Sequence, residues 1–162
     1  MISLRYDSCM SSERPATSEP SEVLAYLLKH AHQRLMALAD TALAPHGLDR
    51  KEFGVLRVLA ASEPLSQQAL AGLLGVDPTT MVAVLDALED KGIVTRRPDP
   101  ADRRRNQIAL TARGQATNAA AEAAYAAAER EFLAPLQAAE GVELRRMLLA
   151  LAAVEPPPSK GA

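Results

Sequence analysis

The sequence predicts a mainly α-helical fold interrupted once by a small β-hairpin. Three observations lead there. Apolar residues recur at spacings of three and four along most of the chain, between residues that start and stop helices. That period breaks once, after Gly92, where two short β-prone runs flank a charged segment. The stretch that follows, Ala112 to about Leu133, is rich in alanine, the residue of highest helix propensity. With 162 residues, 48% of them hydrophobic, the chain can build one core without metal or disulfide staples. Its single cysteine, Cys9, has no partner in the chain.

Taken in order, residues 1–20 are rich in Ser, Pro, Glu and Arg without an apolar period, which predicts a disordered arm, and residues 155–162 read the same way. Ser21 is placed to cap a helix through Leu24, Leu27, Leu28, Ala31, Leu35, Leu38 and Ala42, ending before Pro45-His46-Gly47. Asp49, with Glu52 three residues on, forms a capping-box start for a second helix through Phe53, Val55, Leu56 and Leu59, broken at Glu63-Pro64. Ser66 caps a short third helix stopped by Gly75, and Asp77-Pro78 opens a fourth that closes at Lys91-Gly92. Ile93-Val94-Thr95-Arg96-Arg97 and Gln107-Ile108-Ala109-Leu110 are the predicted hairpin strands. Thr111 caps the alanine-rich helix, Pro135 ends or kinks it, and a last helix runs through Val142, Leu144, Met147, Leu148 and Leu151.

The charges are segregated. The chain carries 18 basic and 20 acidic side chains, yet residues 91–106 alone hold six basic against two acidic. Such a footprint suits an anionic partner better than the net charge of -2 suggests. No apolar run reaches the roughly 18 residues of a membrane span, and the first twenty lack a signal-like apolar run. The chain is therefore expected to be soluble and cytoplasmic, without membrane association.

Two short helices joined at Leu74-Gly75-Val76-Asp77-Pro78 match a helix-turn-helix, and the hairpin directly after makes it winged. Leu70, Ala71, Leu74, Val82 and Leu85 are expected to hold the two helices together as core. Contacts to double-stranded DNA then fall to Ser66 and Gln67, to Pro78, Thr79, Thr80, Met81 and Ala83 on the second helix, and to Arg97, Arg103, Arg104 and Arg105 of the hairpin. Helix N-terminal N–H groups attract phosphate, Thr hydroxyls reach base edges, and an Arg-bearing tip suits a narrow minor groove.

From Ser66 to Gly114 the sequence resembles the MarR family of bacterial winged-helix regulators. The resemblance lies in the leucine pattern around Gly75, in Leu88-Glu89-Asp90-Lys91-Gly92-Ile93-Val94, and in Asp99-Pro100-Ala101-Asp102-Arg103-Arg104-Arg105 followed by Leu110-Thr111-Ala112-Arg113-Gly114. It implies a winged helix-turn-helix DNA-binding domain at 49–111 and a helical dimerisation region at 21–48 and 112–154. Asp102 then matches the acid that braces the wing, Arg104 the minor-groove probe, and Arg103 and Arg105 phosphate contacts. Where many members carry a long polar residue this chain has Ala83, with Ala87 a turn later. Discrimination then shifts toward thymine methyls, Thr hydroxyls and DNA shape. A homodimer follows from the same resemblance, through Leu24, Leu28, Leu133, Leu144, Leu148 and Leu151. So does a pocket for small aromatic or phenolic ligands lined by Tyr26, His32, Phe53, Arg57 and Tyr125.

The function expected is a DNA-binding regulator, a repressor by family habit. No Gly-rich phosphate loop, placed nucleophile or metal-ligand spacing argues for an enzyme, a metal or a cofactor. Two alternatives stand beside it: a winged-helix module for protein contacts without specific DNA binding, and a redox-responsive regulator using Cys9.

Overall fold

The computed structural model describes residues 23–62, 64–98 and 106–153. The expected cap Ser21, the arm at 1–20, the tail at 155–162 and the alternative sensor Cys9 lie outside them. In order come α1 (Leu24–Leu43), a 3-10 turn at Ala44–His46, α2 (Arg50–Ala61), β1 (Leu65–Ser66), α3 (Gln67–Leu74), α4 (Pro78–Asp90), β2 (Val94–Pro98), β3 (Asn106–Leu110), α5 (Ala112–Leu133) and α6 (Ala138–Ala152). The chain divides into two compact units between Gln33 and Arg34. Among the described residues no single helix is long and apolar enough to cross a membrane.

In the second unit the helix ends are set by the residues that the spacing singled out. The Asp49 carboxylate accepts from the Glu52 N–H at 2.8 Å while the Glu52 carboxylate accepts from the Asp49 N–H at 2.9 Å, a complete capping box. Ser66 Oγ accepts from the Ala69 N–H at 3.2 Å, and α3 stops at Gly75 with φ of 61°. Pro78 follows its N-cap Asp77, which accepts from the Thr80 N–H at 2.9 Å. Thr111 Oγ1 accepts from the Gly114 N–H at 3.0 Å and donates to the Gly92 carbonyl at 2.7 Å, tying the start of α5 to the end of α4.

The sheet has three antiparallel strands, not the hairpin alone, in the order β1-β3-β2. Leu65 pairs with Ile108 and Ser66 with Gln107, while β2 and β3 run in register from Val94 opposite Leu110 to Pro98 opposite Asn106. β1 was missed because two residues cannot show an alternating period, and Ser66 doubles as the cap of α3. Leu43, Leu56, Leu70, Leu85, Leu88 and Ile108 are fully buried and form the centre of one core with Phe53, Met81 and Val94. That core fixes the rotation of α4: Met81, Leu85 and Leu88 face inward.

Candidate nucleic-acid interface

With those three positions buried, α4 turns Thr79, Val82, Ala83 and Asp86 to solvent, at spacings of three and four. This corrects two expectations. Met81, grouped with the DNA contacts, is a core residue 1% exposed, whereas Val82, expected in the core, is 38% exposed. Both residues are apolar and adjacent, so composition gave no way to choose between them. The rotation follows from packing against α2 and α3.

Thr79 is exposed, and Pro78 opens the helix beside it. Thr80 is half-buried, and its hydroxyl donates to the Asp77 carboxylate, so that hydroxyl serves the cap rather than an outside partner. The Thr80 hydroxyl and then the Thr80 N–H hold the Asp77 carboxyl below the usual carboxylate range. Ser66 and Gln67 are both half-buried at the start of α3, with the Ser66 oxygen engaged as the cap. Arg97 is exposed near the outer end of β2. Asp102, Arg103, Arg104 and Arg105 lie outside the described residues.

Two anchors hold this helix that the sequence reading did not find. The Arg96 guanidinium of β2 donates to the carboxylates of Asp86 and Glu89, and those two acids, Asp86 first, raise its already high pKa. The strand is thereby locked to the side of α4. At the C-cap of the same helix the Lys91 ammonium donates to Glu52 Oε1 at 2.5 Å and to the Gly47 carbonyl at 2.8 Å. Glu52 is only 5% exposed and also completes the α2 capping box, so one buried carboxylate joins the end of α4 to the start of α2. The signal for Arg96 was present as two acids three apart on one helix. Lys91 and Glu52, 39 residues apart, left none.

Of the residues expected to line a ligand pocket, three meet in the second unit. The Phe53 and Tyr125 ring centroids are 5.2 Å apart, and the Arg57 guanidinium carbon lies 5.4 Å and 5.6 Å from them. Arg57 also pairs with Glu122 at 2.8 Å. In the first unit Tyr26 packs on His30 with centroids 4.1 Å apart, and His32 is exposed. Of the expected dimerisation residues, Leu24, Leu28, Leu148 and Leu151 are exposed, and Leu133 and Leu144 are half-buried. Among the described residues no cluster of His, Cys, Asp and Glu could hold a metal ion.

Comparison with known proteins gives concordant results. Residues 48–105 match the model of the MarR family. An HTH-type transcriptional repressor of Mycobacterium tuberculosis is 41% identical over 125 residues, covering 77% of this chain and 90% of the relative. The crystal structure of that MarR family protein in complex with DNA superposes with a TM-score of 0.71 at 40% identity, covering 80% of this chain and 98% of the other. Its complex with salicylic acid gives a TM-score of 0.66 at 41% identity, covering 79% and 95%.

Proposed function

The chain belongs to the MarR family of transcriptional regulators, and from that premise we propose that it represses transcription by binding a pseudo-palindromic DNA site as a homodimer, released by a small aromatic acid. The observation that carries the DNA reading is α4: capped by Asp77-Pro78, buried on one face and clear on the other, and locked to the wing strand by Arg96. A helix so presented enters a major groove. The basic segment at 91–106 lies beside it in sequence, and the M. tuberculosis relative is known in complex with DNA. Arg96 offsets one of the two charges of Asp86 and Glu89, so α4 opposes the phosphates with less negative charge than its acidic residues alone would give.

Dimerisation is supported by the terminal helices. Val142, Met147, Leu148, Leu149 and Leu151 of α6 are exposed in the single chain, as are Leu24, Leu27 and Leu28 of α1. Within each helix, exposed apolar side chains in such numbers mark a contact surface. Two winged domains in such a dimer address half-sites about one helical turn, roughly 34 Å, apart. The Phe53, Arg57 and Tyr125 cluster suits an aromatic carboxylate, with rings to stack on and a guanidinium that exchanges Glu122 for the ligand. The salicylic acid complex of the relative supports that chemistry.

The test is a gel-shift titration against the DNA flanking the gene of this protein, at two salt concentrations, with unrelated competitor and with added salicylate. Specific binding that weakens steeply with salt, by about 0.9 log units per log unit of salt for each phosphate contact, and that salicylate releases, is expected. Binding indifferent to sequence would sink the operator reading. Release that persists in Arg57→Ala would place the ligand elsewhere.

A further inference from the structure

We propose that Val82 is the specificity-determining side chain of α4, reading the 5-methyl groups of thymines in the major groove. The inference rests on the DNA-binding reading above and names the feature of the site that the helix recognises. The exposed face of α4 presents Thr79, Val82, Ala83 and Asp86, a hydroxyl, an isopropyl, a methyl and a carboxylate. The Asp86 carboxylate holds the Arg96 guanidinium, which is thereby kept from reaching out to a guanine. The Thr80 hydroxyl donates its hydrogen bond to the Asp77 carboxylate. This leaves the centre of the face without a long hydrogen-bonding side chain, and none of the four residues can make the two-donor contact that distinguishes guanine.

Of the groups that base pairs display in the major groove, thymine alone offers an apolar one, its 5-methyl. Val82 projects further than Ala83 and is β-branched, so in a helix its two methyls are held in one dominant rotamer. Such a side chain loses little freedom when it packs on a base edge. An isopropyl group 38% exposed at the middle of a helix surface gains from water exclusion only when something apolar covers it. On this face the thymine methyl is the group of matching size and chemistry.

The experiment begins with the full chain and a pool of duplexes randomised over about 20 bp, enough for two half-sites. Enriched duplexes are resynthesised with uracil for thymine, one position at a time, and titrated with the parent and with Val82→Ala. Alanine is the stronger helix former and Val82 lies outside the core, so the variant keeps its fold, as circular dichroism would verify. The expected result is a fixed thymine in each half-site whose methyl, when removed, weakens parent binding about fourfold, the transfer value of one buried methyl-sized group. Val82→Ala should bind the thymine duplex more weakly and be indifferent to the same methyl. If specific duplexes are enriched but every uracil is tolerated, or Val82→Ala stays as methyl-sensitive as the parent, Val82 is not the reader. A pool that yields no enriched sequence overturns the DNA-binding reading, and this inference with it.

Discussion

The winged-helix body and helix α6 carry similar apolar periodicity and treat it in opposite ways. In the body Leu56, Leu70, Leu85, Leu88 and Ile108 are fully buried, and the polar ends of the helices meet caps. In α6 the buried residue is Gly141, while Val142, Leu148, Leu149 and Leu151 lie open, Leu149 at 72%. A period of three and four identifies which side of a helix is apolar and leaves open what covers that side. Where crossing elements of the same chain cover it, the helix belongs to a core. Where none does, the face stays exposed in the single chain, and substitutions in the two regions should fail in different ways.

The largest effect is expected in the body, at Gly114. A Cβ there would lie 2.0 Å from the Ile93 carbonyl oxygen, a backbone atom with no room to retreat because Thr111 is bonded to the same turn. Gly114→Ala should destabilise the protein by about 3 kcal/mol or more, read as a lower denaturant midpoint. A melting curve unchanged by this substitution would show that α5 is not fixed against the turn. Next comes Leu148→Asp in α6. Leu148 is already 44% exposed in the single chain, so an added carboxylate harms the monomer little. It should nevertheless raise the dimer dissociation constant at least about a hundredfold, or about 2.7 kcal/mol, by placing unpaired charge in the interface. Sedimentation would show monomers with an unaltered helical spectrum. A dimer that persists would place Leu148 outside the contact.

How much of this could be read beforehand follows the same division. Local chemistry was legible: Asp49 with Glu52, Ser66, Gly75, Asp77-Pro78 and Thr111 all act where their spacing put them. Each works through bonds to residues three or four away. What escaped was decided by distant partners. Met81 and Val82 exchanged places because the rotation of α4 is set by α2 and α3, and β1 exists because Leu65 finds Ile108 across the sheet. The Arg96 clamp and the Lys91 anchor depend on turns that bring separate segments together. The aromatic cluster was legible in part: Phe53, Arg57 and Tyr125 do meet, and Glu122 beside Arg57 was not foreseen.

A smaller loss is expected from Lys91→Met. It removes the cation from Glu52, a carboxylate 5% exposed, while leaving the hydrogen bond from the Asp49 N–H in place. Lys91 itself is partly exposed, so water replaces some of what is lost and the cost should be about 1–2 kcal/mol rather than that of a fully buried pair. Adding Glu52→Gln should recover part of it, because a neutral amide needs no counter-ion in that position. Additive losses would mean that the two side chains act independently.

The least effect is expected on the charged side of α6. Glu143 and Arg146 form an exposed pair three residues apart, in which the guanidinium holds the Glu143 carboxyl below the usual carboxylate range. A depressed folded-state pKa means that any contribution is present at neutral pH and fades only as the pH drops through that lowered value. Solvent screens a pair in this setting, so Glu143→Gln should leave the melting curve within experimental error. The informative measurement is its dimer dissociation constant. If the apolar side chains of α6 form the interface, the substitution leaves the constant unchanged while Leu148→Asp disrupts it. If Glu143→Gln loosens the dimer and Leu148→Asp does not, the contact lies on the ionic side of the helix, and the exposed leucines await a different partner.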